Sequence, residues 1–252
     1  MYPTPGTAGC TIRVEVALSS WVVDSLLRSR TLETLNILDL PAEAVAHGFR
    51  RLEVCHFHLP AQSSGRDAFA ECARSQGAIL QTLLIDDGDL THPDRGEEDE
   101  AWIASWVAEA ERLGFARARV IAGRQPWSLE TRTRSAAALR RLADRAGVRV
   151  MIENWPPLLN VPSELRELLD QLGGEVGLCA DFGNWSDEAD LASIFPLAET
   201  IHAKNSSDDD GIRFRRLATA ARSAGFVGPW VLVASVAGHE WESLQHDAAF
   251  FS

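Results

Sequence analysis

Two rhythms of apolar and polar positions alternate along the chain. Short runs rich in Val, Ile and Leu occur as "IRVEVAL" at 12–18, "RLEVCHF" at 51–57, "AILQTLLI" at 78–85 and "ARVIAG" at 118–123. The second half continues with "VRVMIEN" at 148–154, "VGLCAD" at 176–181, "TIHAK" at 200–204 and "WVLVAS" at 230–235. Such short β-branched runs read as strands. Between them, apolar residues recur three and four positions apart, as one face of a helix requires. In "DEAWIASWVAEAERLG" at 99–114 that face is Ile103, Trp106, Val107, Ala110 and Leu113, and Gly114 supplies the stop. Segments 135–147, 162–174 and 213–225 repeat the pattern, each ending in Gly, and Ser163 is a candidate N-cap for the second of them.

Strands alternating with helices predict βαβ crossovers and a parallel sheet. Eight such units fill about 250 residues as a (β/α)8 TIM barrel of one domain. An open doubly wound sheet is the runner-up, but it usually carries a glycine-rich phosphate loop after its first strand. Here that position reads "SSWVVDSLL", without glycine. The expectation is therefore a flexible N-terminal segment at 1–11 and then a single barrel over 12–252. The polar stretch "GDLTHPDRGEEDE" at 88–100 reads as a loop leading into a helix.

Composition narrows the partners. A formal charge of −12 argues against nucleic acid, whose binding rests on basic surfaces. No apolar run approaches the roughly 20 residues of a membrane span, and the start "MYPTPGTAGC" has neither the basic region nor the apolar core of a signal peptide. Cys10, Cys55, Cys72 and Cys179 are scattered without CxxC spacing, so they read as reduced thiols of a cytoplasmic protein.

A barrel keeps its chemistry at the C-terminal ends of its strands. Those ends offer Glu53, His56 and His58, then Asp86 and Asp87, then Arg124 and Trp127. Later strands offer Glu153 and Asn154, Asp181 and Asn184, and finally His202, Lys204 and Asn205. Glu153, Asp181 and His202 stand on three consecutive strands. Two carboxylates and an imidazole suit a divalent ion such as Mn²⁺, Co²⁺, Mg²⁺ or Zn²⁺. The plainer alternative is that the carboxylates make ion pairs or cap loops and His202 is a satisfied core histidine. His56 and His58 alternate onto one side of strand two with Val54, which makes His58 a candidate for the pocket and, equally, for a loop anchor. Trp127, Trp155 and Trp185 each come just after a strand end, where an aromatic ring stacks on a sugar or packs its loop. Arg213 and Arg215 read as a solvated helix face.

In order and spacing, "LEVCHFHLP", "RVIAGRQPW", "IENW", "CADFGNW", "HAKN" and "GFVGPW" resemble the sugar phosphate isomerase/epimerase family of the xylose isomerase-like TIM barrel superfamily. The resemblance runs from about residue 12 to the end. It implies one divalent metal held by Glu, Asp, His and a second Glu from the last four strands. The first three carry over to Glu153, Asp181 and His202, with Glu153 also catalytic. The second Glu usually stands in a sequence like "GPWSLE"; this chain has "GPWVLV", so Val233 takes its place.

That departure weakens metal binding and removes one of the two carboxylates that move protons on opposite faces of a ketose. The ion is then weakly held or absent. Asn184, in "DFGN", stands where ketose epimerases often place a substrate-binding His, and Lys204 matches a position that usually points at the pocket. The implied substrate-binding set is Glu53, His58, Trp127, Asn184 and Lys204. The implied ligand is a small sugar or sugar phosphate, with neither nucleic acid nor membrane as partner and room for a homo-oligomer. Isomerase/epimerase-like chemistry through an enediolate is expected, with isomerisation by one glutamate, dehydration and aldol-type cleavage all open, and a degenerate, metal-free barrel that binds a sugar-like ligand is the alternative.

Overall fold

The computed structural model describes residues 15–28, 35–205 and 211–251. The segment expected to be flexible, 1–11, lies outside the described residues, as do Cys10 and the "SSDDD" stretch at 206–210.

Among the described residues, eight parallel strands close into a barrel in sequence order. They are β1 (Val16–Ser19), β2 (Arg51–Cys55), β3 (Ile79–Ile85), β4 (Arg117–Val120), β5 (Arg149–Glu153), β6 (Gly177–Asp181), β7 (Ala198–Ala203) and β8 (Trp230–Leu232). Closure comes from β8 pairing back onto β1, with Val16 opposite Trp230 and Leu18 opposite Leu232. The helices that wrap the barrel are α1 (Asp24–Arg28), α2 (Leu40–Ala46), α3 (Ser63–Ser75), α4 (Gly96–Leu113) and α5 (Leu129–Arg145), then α6 (Pro162–Leu172), α7 (Glu188–Ile194), α8 (Ile212–Ser223) and α9 (Glu240–Ala249). No helix of the described residues is long and apolar enough to cross a membrane.

Local chemistry explains most boundaries. Gly114 ends α4 at φ 89° and Gly173 ends α6 at φ 59°, left-handed positions that suit glycine. Ser128 caps α5 by accepting from the Thr131 N–H at 3.1 Å. Two expected signals are not used. Gly147 lies past an extended Ala146 and is not the stop of α5. Ser163 is not the cap of α6 either: Pro162 takes the first helical turn, and the Glu164 carboxylate accepts from the N–H groups of Asn160 and Val161.

Each strand has two faces, and both are buried. Val150 and Ile152 of β5, Leu178 and Ala180 of β6, and Ile201 and Ala203 of β7 join the apolar cluster shared with the helices. The alternate residues face the barrel interior, and many of them are polar or charged. Side-by-side register puts Ser19, Glu53, Thr82, Arg119, Glu153, Asp181, Thr200 and His202 on that inner face, none of them more than 7% exposed. Leu84, Met151 and Val231 share those register rows, so polar and apolar side chains fill the interior together.

β2 is also shorter than its apolar run suggests. β1 has already turned into a 3-10 segment at Ser20–Val23, and the Ser20 hydroxyl takes the Cys55 N–H at 2.9 Å. The ladder ends there, and His56–His58 forms a 3-10 turn. The alternation expected to put His56 and His58 on one face with Val54 therefore does not hold. β8, three residues long, is anchored by Trp230, which is 2% exposed and lies 4.5 Å from Phe251 and 5.0 Å from Phe226 between ring centroids. Truncating a side chain so buried costs about 3–5 kcal/mol.

Candidate functional site

At the C-terminal mouth of the barrel, one cavity of about 260 Å³ is lined by Glu153, Asp181, Asn184, His202, Lys204 and Val233, together with Trp21, Asp86, Arg119 and Trp155. Larger surface depressions lie elsewhere, but they lack this convergence of acids, imidazole and cations from successive strands. Glu153, Asp181, Asn184, His202 and Lys204, all read from the sequence, thus come together.

His202 is the hub. Its Nε2 meets Glu53 Oε1 at 3.0 Å, and its Nδ1 meets Asp181 Oδ2 at 3.3 Å and Glu153 Oε2 at 3.6 Å. Glu53 therefore lies beneath the cavity wall and orients a histidine. With Nε2–H given to Glu53, the neutral imidazole presents the Nδ1 lone pair upward, the arrangement by which a carboxylate fixes a metal-ligating tautomer. Burial disfavours charge on His202, but the Glu53 charge and the Asp181 hydrogen bond outweigh it. Together they hold its pKa well above the usual imidazole value.

Asp181 is positioned by backbone chemistry. Asn154 holds its strand end in both directions, accepting from the Asp181 N–H at 2.7 Å and donating to the Asp181 carbonyl at 3.2 Å. The Gly183 N–H donates to its carboxylate. Burial pushes Asp181 up, while His202, that N–H and the charge of Lys204 prevail and hold it below the ordinary carboxylate value. Glu153 behaves oppositely. Burial raises it to about 7 despite the nearby charges of Arg119 and His202. Asn184 donates from Nδ2 to Glu153 Oε1, leaving Oε2 buried without a hydrogen bond.

These donors fit a divalent ion. The set is two carboxylates and an imidazole, one ring nitrogen stands between both carboxylates, and Glu153 Oε2 is a buried acceptor that Arg119 Nε approaches to 3.0 Å without a hydrogen bond of good geometry. Cys179 Sγ also falls with Glu153 and His202 in a set whose atoms are all within 4.8 Å of one another, while Asp181 stands outside that set. Burial raises the Cys179 pKa, and its soft sulfur suits Mn²⁺ or Mg²⁺ less well than a carboxylate oxygen does. Val233 lines the cavity, at the position where the resemblance calls for a fourth ligand and the sequence has none.

The structure does not bring His58 or Trp127 to this cavity. His58 is held between the Ser20 hydroxyl at 2.8 Å and Asp24 Oδ1 at 2.7 Å, which is a loop anchor. Trp127 packs against the core with Arg132 over its ring. Trp185, 6% exposed, donates from Nε1 to the Leu159 carbonyl at 2.9 Å. The aromatic walls are Trp155 and Trp21 instead. Arg213 is not a freely solvated helix residue, since it donates to the Phe182 and Trp185 carbonyls at 2.7 and 2.8 Å and pins the loop after β6.

Sequence reading missed Arg119 and the role of Asp86. Arg119 stands in mid-strand, 2% exposed, with Nη1 2.5 Å from Asp86 Oδ1 and Nε 3.0 Å from Glu153 Oε2. Asp86 also accepts from Trp21 Nε1 at 3.0 Å. The available signal was parity: in "ARARV" the arginines occupy alternate positions, Arg119 in the same register row as Met151, two residues before Glu153 on the inner face of β5.

Residues 41–250 match the family model described as xylose isomerase-like TIM barrel. No curated protein matches the chain in sequence. Among solved structures, the probable 3-DHS dehydratase of petrobactin synthesis from Bacillus anthracis superposes with a TM-score of 0.71 at 14% identity, covering 94% of this chain and 98% of that one. The 3-keto-D-glucoside 4-epimerase from E. coli gives 0.71 at 15% identity, with the same coverage. The D-psicose 3-epimerase from Clostridium cellulolyticum H10, solved with D-tagatose, gives 0.70 at 14% identity, again with 94% and 98% coverage. At these identities the likeness is one of fold.

Proposed function

The chain belongs to the xylose isomerase-like TIM barrel family, and from that premise we propose that it is a sugar or sugar phosphate isomerase/epimerase-like enzyme acting on a small polyhydroxylated substrate. The observation that carries the reading is the convergence of Glu153, Asp181 and His202, from three consecutive strands, on one cavity. Glu153, Asp181 and His202 would hold a divalent ion, Mn²⁺, Co²⁺, Mg²⁺ or Zn²⁺. Such an ion supplies positive charge that polarises a carbonyl and its neighbouring hydroxyl.

The chain's own residues supply the rest. Glu153 is the proton-moving group: its carboxylate takes a proton from the carbon next to a carbonyl and delivers one to the former carbonyl carbon, while the neighbouring hydroxyl's proton passes to the former carbonyl oxygen. The Asn184 side chain steadies the other Glu153 oxygen. Glu53 keeps His202 oriented. The Lys204 ammonium offers charge to an anionic or hydroxyl group at the mouth, and Trp155 and Trp21 wall the cavity against water. Val233 carries no proton, so one face of the substrate is served by carboxylate and the other is not. That asymmetry favours chemistry needing a single base, such as aldose–ketose isomerisation.

The test is exchange with solvent. In D₂O with Mn²⁺, D-fructose, D-tagatose, D-psicose and their 6-phosphates are monitored by NMR for deuterium entering next to the carbonyl. Exchange with at least one of them, lost in Glu153→Gln, is the expected result. A second reading, a degenerate barrel that binds a sugar-like ligand, draws on Val233 and on the ion pair that occupies Glu153. Saturable sugar binding with no exchange in any of these substrates would favour it.

A further inference from the structure

We infer that the guanidinium of Arg119 competes with a divalent ion for Glu153, so that this site holds either the arginine–glutamate pair or the metal on that carboxylate. The inference rests on reading Glu153, Asp181 and His202 as the metal ligands, and it concerns a residue outside that set.

Arg119 Nε lies 3.0 Å from Glu153 Oε2, the same oxygen that faces His202 Nδ1 at 3.6 Å. One oxygen therefore serves both the guanidinium and the proposed ion position. Arginine stays protonated at any working pH, and this one is 2% exposed where it lines the cavity. It is also fixed from the other side. Nη1 sits 2.5 Å from Asp86 Oδ1 at the end of β3, and the guanidinium carbon lies 5.9 Å from the Trp155 ring centroid. Neither Nε nor Nη1 makes a hydrogen bond of good geometry, although both are buried. The contacts are thus charge pairing without directional bonding, which a better-placed cation can displace.

The cavity's composition points the same way. Divalent affinity depends on the number and charge of the ligands. Val233 removes one carboxylate from the set, and Arg119 adds one fixed positive charge within contact of another. Both changes lower affinity. They are also mutually consistent: without a tightly held ion, the carboxylates Glu53, Asp86, Glu153 and Asp181 at the base of the cavity need a cation supplied by the chain, since unpaired buried charge is costly. Arg119 is that cation, held by Asp86 whether or not Glu153 is released.

Calorimetric titration of Mn²⁺ into wild type, Arg119→Met and Arg119→Lys tests this. Arg119→Met should bind Mn²⁺ at least tenfold more tightly than wild type, about 1.4 kcal/mol. Arg119→Lys, which keeps the charge, should stay within about threefold, under about 0.7 kcal/mol. Equal affinity in wild type and Arg119→Met, or weaker binding in Arg119→Met, overturns the inference while leaving the metal site intact. No Mn²⁺ binding by any of the three at millimolar concentration overturns the metal reading and the inference with it. Should Arg119→Met fail to fold alone, its melting is recorded with and without Mn²⁺. Recovery of a cooperative transition by the ion supports the inference, and no recovery overturns it, because either cation should then have sufficed.

Discussion

Replacing Glu53 with leucine removes the acceptor that His202 Nε2 faces at 3.0 Å, at a place where the two side chains are 1% and 4% exposed. Leucine fills a similar volume, so the cavity contribution is small and the electrostatic loss dominates. Breaking one partner of a buried charged pair costs about 3–5 kcal/mol. In a chain of this size each kcal/mol lowers the melting temperature by roughly 2–4 °C, giving a fall of roughly 6–20 °C. Glu53→Gln keeps an acceptor oxygen and loses only the charge assistance, about 1 kcal/mol or a little more. The two variants also separate in metal affinity. A lost carboxylate–histidine contact typically costs about 10–100-fold, and leucine should show that loss in full. Thermal denaturation monitored by circular dichroism, with Mn²⁺ calorimetry on the same samples, reads both effects. A leucine variant as stable as the glutamine variant, with Mn²⁺ affinity unchanged from wild type, would refute the assignment of Glu53 as the residue that orients His202.

Val233→Glu returns a carboxylate to the cavity wall and should raise Mn²⁺ affinity by at least about tenfold; unchanged affinity in calorimetry would mean that the position does not face the ion. Lys204→Ala should weaken binding of a sugar phosphate more than of the unphosphorylated sugar, and an equal effect on both would remove Lys204 from the ligand's reach. Burial lowers the His58 pKa against the opposing influence of Asp24. As pH falls below the unfolded value of 6.5, the unfolded chain therefore takes up this proton first. The contribution of His58 is whole above that pH and is lost below it, at up to about 1.4 kcal/mol per pH unit until the folded imidazole also titrates. The melting temperature of wild type should thus fall faster as pH drops below about 6.5 than that of His58→Gln, and parallel curves would show that His58 is not the group responsible.

The barrel was legible because its signals are local and repeated. Period-2 apolar runs, period-3.6 faces and the glycine stops at Gly114 and Gly173 each report on a few neighbouring residues. Glu153, Asp181 and His202 were legible for a related reason, since a barrel collects the ends of its strands and all three close their strands or nearly so. Of the two roles open to His58 the structure shows the loop anchor, because one hydroxyl, that of Ser20, 35 residues before Cys55, ends β2 and changes the parity of the residues beyond it. No local pattern carries that contact. Arg119 escaped for the same kind of reason. Mid-strand arginine reads as surface charge, and only the neighbouring strands reveal Asp86 and Glu153 as its partners. Trp127 and Trp155 both come just after strand ends, and nothing in the sequence chooses between them. The structure separates them, with Trp155 over Arg119 in the cavity and Trp127 against Arg132 outside it.

Whether three strand-end residues form one metal site in this xylose isomerase-like barrel is decided by crystals grown with Mn²⁺ and measured for anomalous scattering. A single strong peak is expected in the cavity, about 2.0–2.2 Å from Glu153, Asp181 and His202, with the Arg119 guanidinium drawn toward Asp86. Diffraction at millimolar Mn²⁺ with no anomalous peak among these residues, or with the peak bonded elsewhere, would show that they are not the ligands of one ion.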